Sequence, residues 1–141
     1  MKKSMITLEE ILLMQLEGKL NTNDDWEDLI MDYILTEDII DKYKDKWNWR
    51  LISICQRLSE SFIVKYKNRV NWLYISQYQE LSEKFINKYQ NKVDWYFISK
   101  YQKFSESFII KFKDKVDWYN VFQYQTLSKE FKSKYKHKLT S

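Results

Sequence analysis

Three consecutive stretches, LSESFIVKYKNRVNWLYISQYQE (58–80), LSEKFINKYQNKVDWYFISKYQK (81–103) and FSESFIIKFKDKVDWYNVFQYQT (104–126), are near-copies of one 23-residue unit. A fixed period of this size marks a stacked repeat protein: so small a unit cannot bury its apolar face alone and must lean on its neighbour. Extending the register outward brings tryptophan to the same place five times, at Trp26, Trp49, Trp72, Trp95 and Trp118. Residues 35–57 keep the pattern through Ile39, Ile40, Tyr43, Trp47, Trp49 and Ile52. Residues 12–34 retain only Leu16, Leu20, Trp26 and Leu29, while 127–141 hold half a unit, with Lys132 where Ile63, Ile86 and Ile109 stand.

Within a unit, the residue types ask for two helices. Ser59 is a good N-cap with Glu60 in the first turn, where the helix dipole favours negative charge. Leu58 and Ile63 then have the spacing of a hydrophobic staple, and Phe62, Ile63 and Tyr66 form an apolar stripe. Lys65, Lys67 and Arg69 crowd the C-terminal end, followed by Asn68 in a column shared with Asp45, Asn91, Asp114 and His137, types suited to positive φ. A second start follows at Asn71, whose column also holds Asn48, Asp94 and Asp117, with Val70 and Ile75 as its staple. The spacing predicts helices of roughly 10 and 8 residues, too short to stand alone in water. The expected fold is all-α: an α-solenoid of stacked two-helix repeats, about five layers, with polar, degenerate ends. The expected organisation is one domain: an acidic N-terminal capping helix and degenerate first repeat (1–34), four repeats (35–57, 58–80, 81–103, 104–126) and a half-repeat cap (127–141). Thr7 and Glu10 read as a capping box opening a helix that Gly18 closes.

Composition bounds the function. Hydrophobic residues make up 44% of the chain and aromatics 18%, enough for a core and unlike a disordered segment. Cys55 is the only cysteine, so no internal disulfide forms, and no apolar run is long enough for a membrane span; a cytoplasmic protein is expected. The net charge of +4 hides a split: residues 1–41 carry 11 acidic and 3 basic side chains, residues 42–141 carry 9 and 21. The lone His137, the single glycine and a cysteine in a column of tyrosines leave no triad, metal cluster or phosphate loop. No enzyme activity, cofactor or metal is expected.

Surfaces therefore carry the functional expectations. The Trp column reads as core, as does the Tyr column (Tyr78, Tyr101, Tyr124) with Cys55 its buried substitute. The glutamines after that column (Gln56, Gln79, Gln102, Gln125) suit hydrogen bonds to the backbone of an adjacent layer. Positions that vary between otherwise similar copies suggest a contact tuned to a protein partner: Leu73, Tyr74, Tyr96, Phe97, Tyr119 and Asn120. An acidic patch of Glu27, Asp28 and Asp32 would assist encounter with such a partner. Two basic columns, represented by Lys65, Lys88 and Lys111 and by Arg69, Lys92 and Lys115, read either as dipole-compensating solvated charge or as a ridge for nucleic acid. Self-assembly through apolar stacking is a third expectation.

The unit LSExFIxKYxxKVDWxxISxYQ, spanning about residues 35–139, resembles the short helical-repeat arrays of phage, giant-virus and AT-rich bacterial proteins. The resemblance implies a phage or viral origin and a binding role in the host cytoplasm, such as inhibiting or redirecting a host factor. It implies no site.

Overall fold

The computed structural model describes residues 3–140. The fold is an all-α stacked repeat of 23-residue period, with eleven α-helices among the described residues. The chain divides into two compact units, residues 1–71 and 72–141. The first unit holds β1 (Ser4–Met5), α1 (Leu8–Leu16), α2 (Asn23–Asp32), β2 (Tyr33–Ile34), α3 (Glu37–Lys42), α4 (Trp49–Cys55) and α5 (Glu60–Lys65). The second holds α6 (Trp72–Tyr78), α7 (Glu83–Lys88), α8 (Trp95–Tyr101), α9 (Glu106–Lys111), α10 (Trp118–Tyr124), α11 (Lys129–Tyr135) and a terminal 3-10 turn (Lys136–Leu139).

The caps lie where the residue types ask for them. Ser59, Ser82, Ser105 and Ser128 each accept the backbone N–H three residues on, from Phe62, Phe85, Phe108 and Phe131. Asn48, Asp94 and Asp117 do the same for the second helices. Thr7 and Glu10 form the capping box of α1, and Thr22 and Asp25 form another on α2 that the repeat pattern did not reveal. Gly18, at φ 70°, closes α1: its own N–H bonds the Gln15 carbonyl and the Lys19 N–H bonds the Met14 carbonyl, a Schellman pair.

Two expectations are corrected. The helices are shorter than predicted: six residues for each first helix from α3 to α9, and seven for each second helix from α4 to α10. The predicted left-handed residues after the first helices are also missing, since Gly18 alone has positive φ among the described residues. Both have one cause. Tyr66 ends its helix at φ −109°, ψ 26°, and the chain continues in tight turns, with Lys67 and Arg69 N–H bonding the carbonyls three residues back. Asn68 therefore never has to reverse the chain. Finally, Ser4–Met5 pairs in parallel with Tyr33–Ile34, a two-residue ladder too short to show in the hydropathy pattern.

Packing is columnar. Ile40, Ile63, Ile86 and Ile109 from the first helices, and Ile52, Ile75, Ile98 and Val121 from the second, are fully buried. Each column indole meets the aromatic ring seventeen residues on: Trp26–Tyr43 and Trp49–Tyr66 in the first unit, at 5.1 and 4.6 Å, and Trp72–Tyr89, Trp95–Phe112 and Trp118–Tyr135 in the second, at 5.4, 4.9 and 5.5 Å. The indoles thus occupy equivalent places even in the degenerate first repeat. Only Trp26 is buried among the five; the other four are half-buried against their aromatic neighbours.

Polar ladders fix the register between layers. Gln102 accepts the Leu81 N–H at 2.9 Å and donates to the Ser76 and Gln79 carbonyls at 3.1 and 2.7 Å. Gln125 repeats this with Phe104, Ser99 and Gln102, and Gln56 does so in the first unit with Leu35, Ile30 and Tyr33. Ser53, Ser76 and Ser99 accept the N–H groups of Asn71, Asp94 and Asp117. Glu37, Glu83 and Glu106 accept those of Ser59, Ser105 and Ser128. No buried side-chain nitrogen or oxygen lacks a partner among the described residues.

Candidate functional site

The second helices of the second unit, α6, α8 and α10, pack side by side, α6 on α8 and α8 on α10. Each turns the same side inward. In α6, Ile75 and Ser76 are buried, followed by Gln79 just past the end; α8 buries Ile98 and Ser99, followed by Gln102. With those positions fixed inward, helical periodicity turns the first, fifth and sixth residues after each helix's leading tryptophan away from the core.

Those outward positions carry rings. Tyr78, Tyr96, Tyr101, Tyr119 and Tyr124 are exposed, Tyr119 to 66%, and Leu73 stands among them at 41%. Tyr74 and Phe97 are half-buried beneath. The rings touch: Tyr74–Tyr78 at 6.1 Å, Tyr96–Phe97 edge-on at 5.3 Å and Phe97–Tyr101 stacked at 6.2 Å between centroids. Lys100 is the only charged residue in these three helices. Its ammonium lies 5.2 Å from the Tyr101 ring and 5.5 Å from that of Tyr124. The Tyr101 hydroxyl, and then Tyr124 and Tyr96, hold that ammonium's pKa above the ordinary lysine value. A concentration of exposed aromatic side chains on adjacent helices is a common signature of an interaction site on a folded protein.

Five of the six expected partner residues are on this face: Leu73, Tyr74, Tyr96, Phe97 and Tyr119. Asn120 is not. It is 2% exposed, its amide reaching the Tyr96 carbonyl at 3.5 Å, because a small polar residue there turns in to meet the backbone of the adjacent helix. Tyr78, Tyr101 and Tyr124, expected in the core, are exposed instead. Their regular recurrence suggested a packing demand, yet once Ile75, Ser76 and Gln79 point inward the wheel leaves Tyr78 outside. Cys55 is likewise half-buried rather than buried, its thiol 3.6 Å from the Met31 sulfur.

The basic columns stay exposed but lie on the protein's own rings and acids. In the first unit Lys65 pairs with Asp41 at 2.5 Å, while Arg69 bonds Asp45 and the Lys44 carbonyl and covers the Trp49 ring. In the second unit Lys88 and Lys111 cover Tyr89 and Phe112, and Lys92 and Lys115 cover Trp72 and Trp95. Lys115 also donates to Asn91 at 3.1 Å. Such contacts are worth about 0.5–1 kcal/mol each at exposed sites, and they place the basic residues over the half-buried indoles. In the acidic patch, Asp28 and Asp32 are exposed one turn apart on α2, whereas Glu27 is half-buried and accepts the Asn48 amide at 2.7 Å.

Among the described residues no group of three or more His, Cys, Asp or Glu side chains is placed to hold a metal ion. No helix there is long and apolar enough to cross a membrane. His137 faces Tyr135 at 6.4 Å. Comparison with protein families, with curated proteins and with solved structures finds no match.

Proposed function

We propose that this chain is a non-enzymatic interaction scaffold and that the aromatic face of α6, α8 and α10 is where it takes another protein. The observation that carries the reading is the concentration of Tyr78, Tyr96, Tyr101, Tyr119 and Tyr124 on one exposed side of three adjacent helices. Tyrosine gives large contact area with few torsions to freeze and a hydroxyl for orientation, which is why it dominates binding hot spots. The resemblance to phage and viral repeat arrays supports a host protein as the partner, inhibited or redirected in the host cytoplasm. The basic columns serve chiefly as ring covers in this reading, so polyanion binding is secondary to it.

The test is capture from host-cell extract, followed by affinity measurement on whatever is captured. The Tyr96→Ser, Tyr119→Ser double variant is expected to bind at least about tenfold more weakly with unchanged thermal stability, as exposed hot-spot residues do. Lys88→Ser with Lys111→Ser is expected to bind normally. The opposite pattern, with generic RNA or duplex DNA retained and binding falling steeply with salt, would replace this reading by a polyanion ridge. Light scattering of the pure protein decides whether the partner is instead a second copy.

A further inference from the structure

The aromatic face has a measurable step. One ammonium, Lys100, reaches the rings of both Tyr101 and Tyr124. These rings occupy the same position on adjacent helices, so successive rings are about one helix spacing apart, ~8–10 Å. Tyr78 begins the same row on α6. Beside the tyrosines runs a parallel row of Gln77, Lys100 and Gln123, the sixth residue of each helix. All three side chains carry N–H donors.

A ligand that meets ring after ring must repeat at that step. A β-strand presents one face every two residues, about 6.6–6.8 Å, and falls out of phase at the second ring. An α-helix recurs in register only after two turns, about 10.8 Å, and its carbonyls are already bonded, leaving the donor row without acceptors. A polyproline II segment has three residues per turn at ~3.1 Å, a repeat of about 9.3 Å, and its backbone carbonyls are free to accept. Its proline rings suit aromatic-lined surfaces. Charge narrows the choice further. The only charge in the three helices is Lys100, and residues 72–141 carry 13 basic against 7 acidic side chains.

We infer that this face binds an extended, proline-rich polyproline II segment bearing acidic residues, about three ligand residues to each 23-residue repeat, with the Tyr78–Tyr101–Tyr124 row contacting its prolines and Lys100 its carboxylates. The inference rests on the protein-binding reading above and specifies the partner's chemistry.

The probe is a fluorescein-labelled peptide of five Pro-Pro-Glu triplets, followed by fluorescence anisotropy with the full chain. Binding in the range of tens to hundreds of micromolar is expected, about fivefold or more weaker for Tyr101→Ser. Lys100→Glu is expected to lose the Pro-Pro-Glu peptide and gain a Pro-Pro-Lys counterpart. Lys129→Ser, on α11, is expected to change nothing. Tyr101 is exposed and Lys100 is half-buried against its neighbouring rings, and circular dichroism confirms that the variants fold. No binding at about 1 mM, or equal binding of the Pro-Pro-Lys peptide to the unaltered chain, overturns the inference. So does tighter binding of an equally charged helix-forming peptide or of oligothymidylate. A host protein captured through Tyr96 and Tyr119 while every proline peptide fails would sink this inference alone; failure of both sinks the docking face itself.

Discussion

Gln102 holds three backbone groups at once, the Leu81 amide and the Ser76 and Gln79 carbonyls, all away from water. Replacing it with alanine leaves those groups buried without partners, each costing roughly 1–3 kcal/mol where water cannot enter. Gln102→Ala is therefore expected to destabilise the chain by about 2–4 kcal/mol, read from urea or thermal denaturation. Loss of less than about 1 kcal/mol would mean that water fills the gap. The glutamine column was legible in the sequence because it recurs just past each second helix, where carbonyls lack intrahelical partners. The tyrosine one residue earlier recurs as faithfully, yet it is exposed. Recurrence alone does not separate packing from surface. Only the inward direction set by Ile75 and Ser76 does, and that direction depends on three-dimensional neighbours.

At the scale of elements, first helices of six residues end in tight turns that place Lys65 and Tyr66 on Asp41 and Arg69 on Asp45. Lys65 holds the Asp41 carboxyl below its ordinary range, with Tyr66 second, and Arg69 does the same for Asp45. The capping amides of Thr7 and Thr22 lower Glu10 and Asp25. All four give up protons more readily in the folded chain than in the unfolded one. Their stabilisation is thus complete above about pH 4–5, the unfolded carboxylate range, and is lost as pH falls through the lower folded values. A melting temperature flat from pH 7 to about 5 and falling below about 4 is expected, with a shallower acid slope for Asp41→Asn. Steepening in that variant would contradict the assignment. Lys65 is shifted upward, chiefly by its bond to Asp41, so its share is present below the ordinary lysine pKa and fades as alkali carries the pH through the folded one. Helix starts were readable from Ser59, Ser82, Ser105 and their kind. Apart from α1, which Gly18 closes, helix ends were not, because no glycine marks them and the turn after Tyr66 uses ordinary dihedrals that any residue adopts.

For the molecule as a whole, charge is divided along the sequence: residues 1–41 carry 11 acids to 3 bases, residues 42–141 carry 9 to 21. Long-range fields of this kind act on encounter rates more than on affinity. Reversing the exposed pair Asp28→Lys and Asp32→Lys is expected to slow association with a partner that presents a basic region to this patch, by about two- to tenfold at low salt, with little effect above about 0.5 M. Stopped-flow rates identical to the unaltered chain would remove the acidic patch from the mechanism. Repeat architecture supplies a second test. A chain carrying an additional copy of residues 81–103 is expected to fold with a larger denaturant m-value and a higher midpoint, since stacked repeats add stability through nearest-neighbour interfaces. A lower midpoint would show that the added interface is poorly matched.

The glutamine rungs make such lengthening easy. Gln125 binds the carbonyl of Gln102, and Gln102 binds that of Gln79, so the block 81–103 both receives a rung from its successor and sends one to its predecessor. A segment duplicated in the gene arrives with both halves of its joint already shaped. Growth by tandem copying then needs no compensating change elsewhere, and the near-identity of residues 58–80, 81–103 and 104–126 is what that mode of growth leaves behind.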